Sequence, residues 1–130
     1  MDKLAVYGTL REGNEETYWV TDVSLVFPGH KNFPAVIKDK KGEGAVVELL
    51  DVDDADLLSY DNYEGVKSGL YIREKINVYK EDIVFKDATF FTKAWIYIAG
   101  PLLMSDKSKF EEVPEQNWLS QKTQKILNSI

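Results

Sequence analysis

Cysteine is absent from this 130-residue chain, and histidine occurs once, as His30. Without thiols there is no disulfide, no zinc-thiolate site and no cysteine nucleophile. A single imidazole leaves little from which to build a Ser-His-Asp triad or a histidine-rich metal site. A chain free of disulfides suits a reducing compartment. Positive charge is also scarce: 16 Lys and Arg face 22 Asp and Glu, for a formal net charge of −6. A duplex-binding surface needs clustered Lys and Arg. The densest basic stretch here, Lys38 to Lys41, contains Asp39 and reads as a hairpin turn, so no nucleic-acid partner is expected. No run of roughly 18 or more apolar residues occurs, which predicts no membrane span. Asp2 and Lys3 begin the chain without a long apolar stretch after them, so no signal peptide is predicted and a cytoplasmic protein is the simplest expectation.

What is present is a globular composition, 44% apolar and 29% charged, at a length that fits one domain spanning 1–130 with a core of its own. Lys3 to Thr9 reads as a strand whose Leu4 and Val6 face one side and Ala5 and Tyr7 the other, so both faces are predicted to be buried. Val23 to Phe27 is a second strand, stopped by Pro28 and Gly29. Phe33 to Lys38 and Glu43 to Leu50 flank "DKKG" and predict a hairpin. The acidic "DVDDAD" that follows predicts a helix from about Asp53 to Asp61, with Asp51 or Asp53 accepting from its free N–H groups. Gly65 and Gly69 bracket a loop. Tyr71 to Tyr79 and Lys93 to Ala99 are strands, and Trp95 and Tyr97 on the latter read as core or cavity wall. Pro114 can open a final helix whose Trp118, Leu119, Ile126, Leu127 and Ile130 share a stripe. Six strands mostly joined by turns, with few helices, predict a small α+β domain, closed or half-closed as a barrel, rather than a doubly wound sheet.

Two stretches bear on chemistry. In "VYGTLREG" (Val6 to Gly13) the first strand breaks at Gly8. A residue without a β-carbon lets a ligand approach the backbone closely. A strand ending in a tight turn can aim several N–H groups at an anionic oxygen. "YGTL" is therefore a candidate cradle for a carboxylate, with a plain glycine turn as the alternative. In "YDNYEGVKSGLYIRE" (Tyr60 to Glu74), Glu64 lies between the predicted helix and Gly65, a boundary where a side chain can face a cleft. Tyr63 and Tyr71 can wall that carboxylate with apolar surface and raise its pKa. Arg73 can pair with Glu64, bind a substrate carboxylate, or stand exposed on its strand.

Read together, "VYGTLR" and "DNYEG…LYIRE", with "FPAVI" (Phe33 to Ile37), "GEGAVVELLD" (Gly42 to Asp51) and "AWIYI" (Ala94 to Ile98) between and after them, resemble the gamma-glutamylcyclotransferase-like family. That family includes gamma-glutamylamine cyclotransferases and AIG2-like and BtrG-like proteins. The resemblance spans roughly residues 4 to 100. It implies a small mixed β-barrel with flanking helices and a cavity at one end. It also implies substrate binding by the backbone of Tyr7, Gly8, Thr9 and Leu10, catalysis by Glu64, and further substrate contacts from Tyr71 and Arg73. The implied reaction releases 5-oxoproline and a free amine from a γ-glutamyl amine or related small metabolite, with no cofactor and no metal. A non-catalytic module on the same barrel, binding a small ligand or a protein, is the alternative. The acidic run Asp51, Asp53, Asp54 and Asp56 does not fit an EF-hand loop: counted from Asp51, Asp56 and Asn62 fill the glycine and glutamate positions, and counted from Asp53, Glu64 falls at the twelfth but Leu58 replaces the glycine, so the run reads as a helix cap. His30 reads as a turn residue.

Overall fold

The structure, a computed structural model, describes residues 2–8, 11, 16–27, 34–42, 44–82, 87–105 and 110–113. Among the described residues, eight strands and two short helices follow in the order β1 (Asp2–Val6), β2 (Tyr18–Val20), β3 (Val23–Phe27), β4 (Ala35–Lys38), β5 (Ala45–Val52), α1 (Asp54–Tyr63), β6 (Tyr71–Asp82), β7 (Asp87–Ala99), α2 (Pro101–Met104) and β8 (Glu111–Glu112). Five of the strands close into a barrel in the order β1-β5-β2-β6-β7, and β4-β3-β8 form a separate sheet. Closure is a parallel contact of β1 with β7 at Leu4 and Trp95. This is the α+β barrel with flanking helices that the residues implied. The expected C-terminal helix from Pro114, with Trp118 and its apolar stripe, lies outside the described residues, as does His30.

Two-sided burial of the first strand holds. Ala5 and Tyr7 join Val20, Val47, Val78 and Ile96 in a cluster to which all five barrel strands contribute, which places it inside the barrel. Leu4 and Val6, on the opposite face, pack with Val52, Tyr71, Tyr97 and Leu57 of α1. A strand apolar on both faces is the signature of a sheet covered on both sides.

The predicted β4–β5 hairpin does not form. β4 pairs with β3, with Val23 opposite Lys38 and Val26 opposite Ala35. β5 pairs with β1 along one edge and β2 along the other, so no edge remains for β4. The "DKKG" segment does turn, through Gly42 N–H donating to the Asp39 carbonyl at 2.9 Å, but it carries the chain from one sheet into the other. β6 and β7 extend past their predicted limits and pair with each other over their whole length, with a register shift between Val78 and Tyr79.

The helix is where the acidic run placed it. Asp53 is its N-cap: Asp56 N–H donates to Asp53 Oδ1 at 2.7 Å and Asp53 N–H to Asp56 Oδ2 at 3.0 Å, a reciprocal capping box. Among the described residues, no helix is long and apolar enough to cross a membrane.

Candidate active site

The last turn of α1 determines where Glu64 goes. Gly65 takes a positive φ of 66°. Its N–H donates to the Asn62 carbonyl at 3.2 Å, while Val66 N–H donates to the Asp61 carbonyl at 3.0 Å. These two bonds are the paired closure of a helix that ends in a left-handed residue, a role glycine fills without steric cost. Glu64 is then the C-cap, its own N–H donating to the Tyr60 carbonyl at 2.8 Å. The "EG" dipeptide thus ends the helix and turns the glutamate off its axis.

Glu64 faces a cavity of about 340 Å³, within the size range of small-molecule sites. The end of β1 supplies one wall, with Ala5 and Val6 followed by Tyr7 and Gly8. Tyr63 and Glu64 come from the end of α1, Leu70 and Tyr71 from the start of β6, Tyr97 from β7, and Pro34 from the segment before β4. Most of this lining is carbon, and burial pushes the Glu64 carboxyl from its ordinary 4.5 up to about 7. Burial also raises the phenols of Tyr71, Tyr97 and Tyr7, and the nearby Glu64 charge adds to the rise in each case. All three are therefore neutral donors at physiological pH.

The structure brings four of the expected residues, Tyr7, Gly8, Glu64 and Tyr71, around one hollow. Thr9 and Leu10 lie outside the described residues. Gly8 does not have a positive φ. A β-carbon there would stand 2.8 Å from Pro34 Cγ, so Pro34 makes the close approach that requires glycine. Arg73 does not line the cavity. Its Nε donates to Asp61 Oδ1 at 2.8 Å and its Nη2 to Asp61 Oδ2 at 3.2 Å, and its guanidinium lies 4.2 Å from the centre of the Trp95 ring. Its carboxylate partner is not Glu64 but Asp61, a residue that sequence reasoning missed.

Asp61 is the residue left out of that reading. It also accepts from Tyr97 Oη at 2.8 Å, and Tyr97 in turn accepts at its carbonyl from Tyr7 Oη at 2.8 Å. The available signal was spacing: Asp61 precedes Glu64 by three, hence on the same side of α1. Among the described residues, no group of three or more His, Cys, Asp or Glu could hold a metal ion. A site of this kind can bind a small polar molecule, exclude water on its apolar sides and exchange a proton at Glu64.

Comparison with known proteins agrees with this fold. The sequence model of one family, described as gamma-glutamyl cyclotransferase, AIG2-like, matches residues 4–120. No curated protein matches the chain. Among solved structures, an uncharacterized protein from Pyrococcus horikoshii is similar at 18% identity and a TM-score of 0.62, over 95% of each chain. An AIG2-like protein from Mus musculus has 21% identity and a TM-score of 0.62, over 80% of this chain and 82% of its own. A protein from Arabidopsis thaliana has 17% identity and the same TM-score, over 98% of this chain and 87% of its own. At such identities the likeness carries the fold alone.

Proposed function

Because this chain belongs to the gamma-glutamyl cyclotransferase, AIG2-like family, we propose that it cyclises a γ-glutamyl amine or a related small γ-glutamyl metabolite, releasing 5-oxoproline and the free amine, with Glu64 as general acid and base. One observation carries the reading: the Glu64 carboxylate and the end of β1 line the same cavity, although 56 positions separate Gly8 from Glu64 in the chain.

The chemistry is an internal acyl transfer. The substrate's α-amine attacks the γ-carbonyl carbon, the new ring C–N bond forms, and the bond from that carbon to the leaving nitrogen breaks. Two of the three α-ammonium protons end on the leaving amine, which departs as an ammonium ion. One carboxylate suffices for this traffic, taking a proton from the attacking nitrogen and returning it to the departing one. A carboxyl poised near 7 is close to the operating pH, where both transfers are efficient. Both reacting atoms belong to one molecule, so holding it bent toward a five-membered ring removes much of the entropic barrier.

In this reading the backbone of Tyr7, Gly8, Thr9 and Leu10 receives the α-carboxylate, and its N–H groups ease charge building on the carbonyl oxygen. Tyr71, buried against the cavity, flanks the substrate with a neutral phenol. Arg73 reaches the site only through Asp61.

The test is incubation of the protein with a panel of γ-glutamyl amines and γ-glutamyl amino acids, with 5-oxoproline measured by mass spectrometry. Turnover of at least one compound is expected. Binding without turnover across the whole panel would replace the enzyme with a binding module on the same barrel.

A further inference from the structure

Glu64 acts only if its carboxylate is held opposite the end of β1, and the two come from distant parts of the chain. Helix α1 packs thinly: Leu57 is its one buried residue, and Tyr63, next to Glu64, is 71% exposed. Tyr60 and Val66, half-buried against the same cluster as Leu57, give the last turn some apolar hold. The directional, polar tie of that turn to the barrel is Asp61. Its carbonyl closes the ring that contains Glu64, through Val66 N–H. Its carboxylate takes two bonds from Arg73 on β6 and one from Tyr97 on β7. Arg73 and Tyr97 stand opposite each other in the β6–β7 register, so the strand pair presents both donors at one level. Tyr97 is bonded at its other end as well, its carbonyl accepting from the Tyr7 hydroxyl beside Gly8.

We infer that Tyr97 and Arg73 are positioning residues that act through Asp61, holding the Glu64 turn at a set distance from the end of β1. Tyr97 serves both halves, because one end of it is bonded to Tyr7, just after β1, and the other to α1. Arg73 supplies the counter-charge for Asp61 and is itself steadied over Trp95, whose indole Nε1 donates to Asp2 Oδ2 at 3.4 Å. This assignment rests on Glu64 as the acid-base group. It differs from a substrate contact by Arg73 in a measurable way: a ligand residue changes KM, whereas a positioning residue changes kcat.

Tyr97→Phe is the probe, because it keeps the ring and the carbonyl that accepts from Tyr7 and removes only the bond to Asp61. Its kcat on a γ-glutamyl amine is expected to fall by roughly 10- to 100-fold, the scale of a misplaced reacting group, with KM within about two-fold of wild type. In a Glu64→Gln background the same change is expected to cost nothing further, since residues that act as one unit are not additive. Asp61→Asn, which keeps an acceptor, is expected to fall between Tyr97→Phe and wild type. Unchanged kcat in Tyr97→Phe, a loss confined to KM, or full multiplication of the two losses would overturn the inference. The crystal structure of Tyr97→Phe supplies a readout without activity: the Glu64 carboxylate is expected to be displaced or split over rotamers. A Glu64 side chain that stays in place sinks the positioning role even if the wild-type protein turns over no γ-glutamyl compound, a result that would instead remove the proposed reaction.

Discussion

The proposed reaction sets two demands on Glu64 against each other. Burial makes the carboxylate a stronger base, yet it must still be ionised to accept a proton, and a pKa of about 7 sits at that balance. Glu64→Gln is expected to lower kcat by roughly 10²–10⁴-fold while leaving the fold intact, measured as initial rates of 5-oxoproline release. An unimpaired rate would remove Glu64 from the reaction. The wild-type rate should fall on the acid side with a midpoint at about 7. The same shift predicts a stability effect of definite sign. Between its ordinary 4.5 and about 7, the folded state retains a proton that the unfolded chain has released. Stability from this group is therefore full below 4.5, is lost as pH rises through that window, and is gone above it. Glutamine never ionises, so Glu64→Gln should gain stability relative to wild type on going from about pH 5 to about pH 8. Paired urea titrations at the two pH values check this; a constant difference would mean that folding does not disfavour the ionised carboxylate.

At the scale of elements, both ends of α1 could be read from short-range chemistry. Asp53 and Asp56 sit at the spacing of a capping box and form one, and the "EG" pair closes the helix with Gly65 left-handed. Gly65→Ala is accordingly expected to cost about 1–2 kcal/mol, the penalty of a β-carbon in that backbone region; the added carbon would also lie 3.3 Å from Leu70 Cβ. Gly65→Asn should recover part of that loss, because asparagine tolerates this conformation better. Equal denaturation midpoints for glycine and alanine would contradict the closure described here. β2 had no comparable signal. Three residues, Tyr18 to Val20, are too few for alternation to show, and what makes them a strand is the gap they fill between β5 and β6. The hairpin expected at "DKKG" failed for a related reason. The turn chemistry was sound, but pairing depends on which strand edges are already occupied, and β1 and β2 flank β5 on both sides.

At the scale of the whole molecule, a buried ion pair links Arg11, after β1, to the body of the barrel. Arg11 Nε donates to Glu48 Oε2 on β5 at 2.5 Å, with both side chains essentially free of solvent, and Arg11 N–H donates to the Gly8 carbonyl at 2.9 Å. Glu48→Gln weakens the pairing of a buried guanidinium and is expected to destabilise the fold by more than about 1 kcal/mol. Urea denaturation at neutral pH measures it, and a loss below about 1 kcal/mol would place the pair in the class of solvent-screened surface contacts. Neither partner is marked in the sequence, because they are 37 positions apart. The bond between Asp61 and Tyr97 was missed for the same reason, the two being 36 positions apart. By itself the sequence determined what neighbours along the chain can determine: the two-sided burial of β1, the caps of α1, the glutamate set off at its end, and the family's motifs in their order. Only the tertiary structure decided which strands share an edge, that Pro34 crowds Gly8, and that Arg73 holds Asp61. Those outcomes follow from closing the barrel, which brings distant residues within hydrogen-bonding reach and leaves no trace in local spacing.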